Sequence, residues 1–175
     1  MSRFVRMAAL LAVGLASGAF GVACGGKATG VGTSDVPRAA APIWTFDSLD
    51  ARPVSAAAFR GRVTVVAFIT TWDLASQAQV DFLAAMAKRD GAKVNYAAVA
   101  LQRYADRELV EVYQAKLGLP FPVAIAGGAD DPSVKPFAPI EAVPTIVVFD
   151  TEGRVVFRKT GLAKSDELRA AMRGL

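Results

Sequence analysis

Histidine is absent from the 175-residue sequence, and cysteine occurs only once. Without histidine, the chain cannot form a His-ligated metal site, a Ser-His-Asp or Cys-His catalytic group, or an imidazole pH switch. A single cysteine also excludes an internal disulfide and any Cys-x-x-Cys metal or redox site within this chain. The composition is 53% apolar and 21% charged, which is sufficient for one compact domain with a buried core plus a tail.

The N-terminal segment has the pattern of an export signal. Arg3 and Arg6 precede an uncharged apolar stretch at residues 7–23 that ends in small residues. Cys24 follows directly, and the segment resembles a bacterial lipobox, whose cysteine is lipid-modified and becomes the mature N-terminus; Gly21 stands where leucine is usual. A plain secretory signal and an uncleaved membrane anchor are the alternatives. The anchor is disfavoured because Gly and Ala dilute the apolar stretch.

These features predict three regions in the chain. Residues 1–23 are a lipoprotein signal peptide, residues 24–41 a flexible tether rich in Gly, Ala, Thr and Pro, and residues 42–175 the folded domain. A lipobox implies that the protein is lipid-anchored through Cys24 in the bacterial cell envelope and faces the periplasm.

The charge pattern does not favour nucleic-acid binding. Cleavage before Cys24 would leave 18 basic and 16 acidic residues, and no Lys/Arg stripe with interleaved aromatic residues is present. Residues 21–28, GVACGGKA, are close to a phosphate-binding loop, but Ala28 replaces the Ser or Thr that binds Mg²⁺. That motif also lies between a strand and a helix, whereas this segment follows a signal peptide. We therefore expect neither a nucleic-acid partner nor a phosphate-binding loop.

From residue 42 onward, strand patterns alternate with helix patterns. The segment at 62–70 is β-branched and almost wholly apolar, which is typical of a central strand buried on both faces. Parallel β-α-β units followed by a hairpin and a helix predict an α/β fold with a mixed central sheet flanked by helices. The predicted elements are an extended segment at 43–46, a helical turn at 55–59, strands at 62–70, 93–101 and 121–126, helices at 73–90 and 106–117, a hairpin of strands 144–150 and 154–159, and a last helix capped by Ser165.

Two of the predicted helices show apolar residues at helical spacing, and we expect these stripes to face the sheet. They comprise Leu74, Ala78, Phe82 and Met86 with Leu83 beside them in the first helix, and Leu109, Val112, Tyr113 and Leu117 in the second.

Residues 63–83 resemble the redox-motif segment of TlpA/ResA-like proteins, which are redoxin or AhpC/TSA-type proteins of thioredoxin fold. In that family, a buried strand ends in Trp-Cys-x-x-Cys and a helix begins at the first cysteine; here Trp72 is followed by Asp73-Leu-Ala-Ser76. Residues 142–172 resemble the family's cis-proline strand, hairpin and final helix, with Pro144 as the cis-proline. The similarity spans about residues 43–174 and implies a thioredoxin-like fold with a degenerate active site.

The family's chemistry requires groups that this chain lacks. Thiol–disulfide exchange needs a thiolate whose pKa is lowered at a helix N-terminus, and a second cysteine that resolves the mixed disulfide. Asp73 and Ser76 replace both sulfurs, and Ala67 stands where thioredoxins often keep a buried polar or acidic residue. The Thr-x-x-Cys motif of peroxidatic redoxins, matched from Thr70, also has Asp73 in place of cysteine. We predict no catalytic residue and no thiol–disulfide exchange by this chain alone.

Two roles remain open for this region. Asp73 can simply be a helix N-cap. Alternatively, the groove that receives a substrate chain in the family is kept as a peptide-binding site, because a cis-proline loop can pair with an extended chain through its backbone without any sulfur. The residues predicted to bind the peptide are Trp72, Asp73, Val143, Pro144 and Thr145.

Function remains open between classes. The first is a non-catalytic, membrane-tethered envelope module whose partner is a protein or an extended peptide. The second is a thiol–disulfide oxidoreductase of the TlpA type that acts only with thiols supplied by a partner. A fold kept without a specific ligand is a third. We expect no cofactor and no metal, because an Asp73–Glu141 pair lacks a third ligand and Asp130-Asp131 in a Gly/Pro loop indicates a solvated turn.

Overall fold

The structure of this protein is a computed structural model that describes residues 40–175. The predicted signal peptide, Cys24 and nearly all of the predicted tether lie outside these residues, so their boundaries stay predictions. Within residues 40–175, no helix has the length and apolar character needed to cross a membrane.

The described residues form a seven-stranded mixed sheet with helices packed on it. The strands are β1 (Thr45–Ser48), β2 (Val54–Ser55), β3 (Thr64–Ile69), β4 (Asn95–Leu101), β5 (Val123–Ala126), β6 (Thr145–Phe149) and β7 (Val155–Thr160). The helices are α1 (Ala56–Phe59), α2 (Leu74–Asp90), α3 (Arg107–Leu117) and α4 (Ser165–Ala171), with short 3-10 helices at Gly91–Lys93, Tyr104–Asp106 and Pro132–Phe137.

The strand order is β2-β1-β5-β4-β3-β6-β7. β3, β4 and β5 are mutually parallel, whereas β6 is antiparallel to both β3 and β7. The carboxyl ends of the three parallel strands therefore lie beside the start of β6, at one end of the strands. We call this the Trp72 end (residues 70–74, 127–131 and 141–144). The opposite end of the strands, the Arg62 end, comprises residues 60–63, 88–94 and 150–154.

The core confirms the prediction for the central strand, because every residue of β3 is buried. Its side chains alternate between two apolar clusters: Val65, Ala67 and Ile69 pack on the face covered by α2, α3 and α4, whereas Val66 and Phe68 pack on the other face. That second face is filled by an aromatic cluster with ring centroids 4.8–6.0 Å apart, made of Trp44, Phe46, Phe59, Phe68, Phe137 and Phe149.

The predicted apolar stripe of α2 is wrong at two of its positions. Leu83 and Met86 are buried as expected, but Leu74 is 79% exposed and Phe82 is 36% exposed. The face that packs on the sheet consists of Ser76, Gln79, Val80, Leu83 and Met86. Because two of its five members are polar, the pattern of hydrophobic residues could not identify this face.

The predicted stripe of α3 is also wrong. Val110 is the buried residue of the helix and Tyr113 is half-buried, whereas Leu109, Val112 and Leu117 are exposed. A single row at positions 110 and 113 suffices because α3 covers only the β4–β5 side of the sheet. The apolar residues on its outer face are therefore not explained by the core.

The bounds of the other predicted elements agree with the structure or differ from it by a few residues. The first strand begins at Thr45 rather than at 43, and Lys164 rather than Ser165 holds the N-cap position of α4. The hairpin between β6 and β7 is confirmed, with Gly153 at φ +83°. The cis peptide bond at Pro144 is also confirmed, and a second one, at Pro139, was not predicted.

Candidate functional site

The turn from β3 into α2 contains the two positions where the related motif has cysteine. Asp73 is the N-cap of α2, and its Oδ2 accepts a 2.6 Å hydrogen bond from the backbone N–H of Ser76. The predicted capping role of Asp73 is therefore confirmed. A carboxylate suits this position because it satisfies a free N–H group and lies at the positive end of the helix dipole.

Ser76 is fully buried and belongs to the support of the turn. Its Oγ accepts a 3.3 Å hydrogen bond from the backbone N–H of Thr70. Two glutamines complete the support: Gln77 donates through Nε2 to the carbonyl of Thr71 over 3.0 Å, and Gln102 Oε1 accepts from the Thr71 N–H over 2.8 Å. The backbone of the turn is thus held by three side chains from α2 and the end of β4.

The loop that enters β6 is fixed by a second set of contacts. Thr145 is fully buried, and its hydroxyl donates to the carbonyl of Ala142 over 2.6 Å. The carbonyl of Pro144 accepts a 2.7 Å hydrogen bond from the N–H of Gly161, beyond β7. The side chain of Thr145 therefore holds the loop in place and lies beneath the surface, so it is not available to touch a ligand.

The register of the sheet brings the turn and the loop together. Phe68 of β3 is paired with Thr145 of β6 in antiparallel register. Continuing this register by two residues sets Val143 opposite Thr70, next to the turn that carries Trp72. Residues more than 70 positions apart in the chain thus form one surface at the Trp72 end.

This surface is apolar and offers free backbone groups. Trp72 is 64% exposed and Leu74 is more so, whereas Pro144 is buried and Val143 is half-buried against the aromatic cluster. Among the contacts of residues 40–175, the backbone N–H and carbonyl of Val143 form no hydrogen bond. An extended segment with one donor and one acceptor free can pair with another extended chain.

The arrangement provides no nucleophile for redox or acyl chemistry. Position 73 presents a capping carboxylate, position 76 a buried hydroxyl bonded to backbone, and the chain has no imidazole to act as a base. Within residues 40–175, no three Asp, Glu, His or Cys side chains are grouped to hold a metal ion. This end therefore holds neither the thiol pair of the related motif nor a grouped set of metal ligands.

The acidic loop beyond β5 has a structural role. Asp131 accepts hydrogen bonds from the N–H and hydroxyl of Ser133, from Tyr104 over 3.0 Å and from the N–H of Gly127 over 3.1 Å. The hydrogen bonds from Ser133 are the main reason why the pKa of Asp131 is lowered from its usual value. Gly127 suits this close contact, because a Cβ would lie 2.7 Å from Asp131 Oδ2 and 2.9 Å from the ring of Tyr104, so these side chains would have to shift.

Sequence reasoning missed the buried glutamines at this site. Gln79 Oε1 accepts a 2.7 Å hydrogen bond from the N–H of Ala163, which connects α2 to the segment before α4, while Gln102 supports Thr71. Neither Nε2 group has a partner in the described part of the chain. Each glutamine therefore stabilises the fold by accepting a hydrogen bond from a buried backbone N–H. Nothing in the sequence distinguishes these two glutamines from surface residues.

No protein-family model matches the chain, and no curated protein matches its sequence. Among solved structures, a DsbF homologue from Corynebacterium diphtheriae matches with a TM-score of 0.72 at 18% identity, covering 90% of this chain and 100% of that one.

Two further solved structures agree with this match. A thiol:disulfide interchange protein of the thioredoxin family from Chlorobium tepidum has a TM-score of 0.68 at 20% identity, covering 80% of this chain and 97% of its own. A thiol-disulfide oxidoreductase from Bacteroides fragilis has a TM-score of 0.64 at 20% identity, with coverage of 77% and 98%. At such identities the likeness establishes the fold: this chain has a thioredoxin-like fold, as the sequence resemblance predicted.

Proposed function

We propose that this protein is a non-catalytic, thioredoxin-like binding module of the bacterial cell envelope. It is tethered to the membrane by a lipid on Cys24 and holds an extended segment of another envelope protein at its Trp72 end. The observation that carries the proposal is the free backbone of Val143 beside the exposed Trp72, at an end of the sheet where both cysteine positions are occupied by Asp73 and Ser76.

The binding mode follows from the groups that this end offers. A segment in β conformation can accept from the Val143 N–H and donate to its carbonyl, which gives affinity without requiring a particular sequence. Trp72 and Leu74 are large exposed apolar side chains that an apolar residue of the segment can cover. Exposed aromatic anchors of this kind contribute much of the energy of peptide recognition.

The envelope location has two supports. The lipobox-like sequence ending at Cys24 predicts export and lipid attachment. The solved structures of similar fold include a DsbF homologue and a thiol:disulfide interchange protein. Stable disulfides form mainly in oxidising compartments outside the cytosol, which supports an envelope location.

Photo-crosslinking in cells tests the binding site directly. A photoreactive residue in place of Leu74 should capture one defined protein segment, identified by mass spectrometry. Trp72→Arg should abolish the capture, because it removes the anchor. Leu109→Arg, which changes another exposed apolar residue, on α3, should leave the capture unchanged.

A second measurement examines the backbone pairing. In the captured complex, the amide hydrogen of Val143 should exchange more slowly than in the free protein, because pairing closes a hydrogen bond. Equal capture by Trp72→Arg and the parent protein, with no protection at Val143, would refute the proposal. Insulin reduction by the unmodified protein in the presence of a partner's thiols would instead support the oxidoreductase alternative.

A further inference from the structure

The Arg62 end of the sheet carries a cluster of unneutralised basic side chains. Arg62 donates from Nη1 to the carbonyl of Ala92 over 3.0 Å, which leaves its charge without an acidic partner. Arg154 at this end is paired with acidic side chains, but five further basic residues at or beside it form no ion pair within the described region: Arg60, Lys88, Arg89, Lys93 and Arg173.

Acidic side chains near this end are already paired with other bases. Asp90 contacts Arg169 over 2.7 Å, and Asp150 contacts Arg154 over 2.8 Å. Glu152 contacts the second nitrogen of Arg154. In the segment before β2, Asp50 is likewise paired with Arg52 over 2.7 Å. Because Asp150 and Glu152 share one arginine, one negative charge offsets part of the six unpaired cations, and this end still keeps an excess of positive charge.

Four of these cations line two open grooves that meet at Val94. One groove, of about 400 Å³, is lined by Arg62 and Lys88, and the other, of about 390 Å³, by Lys93 and Arg173. Grooves of this size between long basic side chains can receive the phosphate groups of lipids. The Trp72 end differs, since Asp73, Asp130 and Glu141 there form no ion pair within residues 40–175.

The chain also enters the folded domain at the Arg62 end. A Cβ built on Gly153, in the β6–β7 hairpin, would lie 3.6 Å from the Cβ of Ala41. That hairpin is bonded to the basic segment by the Gly61 N–H, which donates to the carbonyl of Thr151 over 2.9 Å. The predicted tether therefore ends beside the basic cluster, on the side of the sheet away from Trp72.

We propose that the Arg62 end is a docking surface for the anionic phospholipid headgroups of the membrane that holds the lipid anchor. Docking orients the domain so that the Trp72 end points away from the membrane, where a partner segment can reach it. The inference rests on the tethered arrangement proposed above.

The expected electrostatic attraction is strong enough to orient a domain that is already tethered to the membrane. Each Lys or Arg close to an anionic membrane strengthens association by about fivefold, and the attraction decays within a Debye length of about 8 Å at physiological salt. An unstructured chain of the predicted tether's length reaches on the order of 20–25 Å. The basic surface is thus held close to the headgroups, so a weak contact is enough to fix the orientation.

The experiment uses the full chain, purified from membranes and reconstituted into vesicles. One set of vesicles is phosphatidylcholine alone, and the other contains phosphatidylcholine and phosphatidylglycerol in equal parts, both with a headgroup quencher. A fluorophore is placed at an exposed alanine of either end, by Ala57→Cys near Arg60 or by Ala129→Cys beyond β5. In anionic vesicles the probe at 57 should be quenched and the probe at 129 should not.

Matched charge variants identify the surface. Replacing Arg60, Lys88 and Lys93 with Gln should abolish the difference between the probes, as should high salt. A control with the same loss of charge at Lys135, Arg158 and Lys164, which form no ion pair within residues 40–175 and lie away from the Arg62 end, should keep it. Equal quenching at 57 and 129 in anionic vesicles, or a difference that persists in neutral vesicles, would overturn the proposal.

Thiol labelling separates this inference from the proposed function. If Cys24 carries a lipid through its sulfur, only the introduced cysteine is labelled; labelling of two thiols means that tethering has failed. In that case, the same chains are sedimented with both kinds of vesicle. Salt-sensitive binding to anionic vesicles alone, weakened on the order of a hundredfold by the triple Gln variant, would support the surface. Absence of such binding would overturn it.

Discussion

The two ends of β3 are supported in a similar way but differ in what they expose. At the Trp72 end, Ser76, Gln102 and Thr145 are buried and bind backbone groups, while Trp72 and Leu74 are left outside. At the Arg62 end, Thr64 and Asn95 are buried and bind the carbonyl of Phe59, while the charged side chains of Arg60, Lys88 and Lys93 are exposed.

The contrast indicates different kinds of partner. A surface of exposed apolar side chains with free backbone groups favours a polypeptide, because side-chain burial and strand pairing both contribute to binding. A surface of unpaired cations favours an anionic partner, and the attraction between the two weakens as the salt concentration rises. Since β3 is buried throughout, the two surfaces are separated by a rigid core and can act at the same time.

The largest effect is expected from restoring the missing sulfurs at the Trp72 end. In a Cys24→Ser background, the double change Asp73→Cys and Ser76→Cys should produce turnover in an insulin-reduction assay, whereas the parent protein should show none. The turn, helix start and cis-proline loop that frame such a motif are already present. A thiol at the helix N-terminus has a lowered pKa, and the second thiol can release a mixed disulfide.

The single change Asp73→Cys is the control for this gain, because one thiol cannot resolve the mixed disulfide. A folded double variant without turnover would mean that the Trp72 end has lost more than its cysteines. Turnover by the parent protein would contradict the claim that its site lacks a nucleophile.

A matched pair of buried threonines gives an intermediate effect. Thr145→Val frees the carbonyl of Ala142, and Thr64→Val at the opposite end removes one of the two acceptors of the Asn95 amide, the other being the carbonyl of Phe59. Each should lower the free energy of unfolding by about 1–2 kcal/mol, because a buried polar group loses a partner. Denaturant unfolding measures both changes.

The two threonine variants should differ in binding, although they are similar in stability. Only Thr145→Val loosens the loop that presents Val143, so only this variant should lose crosslinking from position 74. Equal loss of crosslinking in both variants would attribute the effect to general destabilisation and weaken the assignment of the site.

The smallest effect is expected from two aspartates whose pKa values are lowered. Asp131 is stabilised chiefly by hydrogen bonds from Ser133; at Asp150, burial acts to raise the pKa but the bonds from Arg154 outweigh it. A lowered pKa contributes stability above the ordinary value of 3.8, and this contribution is lost as the pH falls below it. Asp131→Asn and Asp150→Asn should each flatten the acid limb of the stability curve.

The effect of each aspartate should stay below about 1 kcal/mol, as for other partly exposed ion pairs and hydrogen bonds. Thermal unfolding between neutral and acidic pH measures it, with Asp166→Asn as a control at an exposed carboxyl of α4. An unchanged pH dependence in both variants would show that other carboxyls control acid unfolding.

Much of the fold could be predicted from local sequence. The segment at 62–70, which is rich in β-branched residues and almost wholly apolar, predicted the central strand, because a strand buried on both faces typically has that composition. Gly91 and Gly153 marked the end of α2 and the turn of the hairpin, since both adopt positive φ. The cis-proline and the capping role of Asp73 were predicted through the family resemblance and helix-capping chemistry.

The helix faces and the support of the site could not be predicted in the same way. Gln79 and Gln102 are buried because each satisfies a backbone N–H from a distant segment, at Ala163 and Thr71. Periodicity counts apolar residues, so it assigned the α2 face without them. Thr145 was predicted to line a groove but is buried beneath it, because its hydroxyl binds Ala142.

The sequence by itself determined which chemistry is absent: with no histidine and no cysteine after residue 24, neither a thiolate nor an imidazole can act in the domain. Only the tertiary structure decided which surfaces exist. The pairing of β3 with β6 brings Val143 next to the turn that carries Trp72. Arg62, Lys88 and Arg173 lie close together because strands and helices end at the same place there. Composition fixes the available functional groups, whereas long-range strand register sets their neighbours.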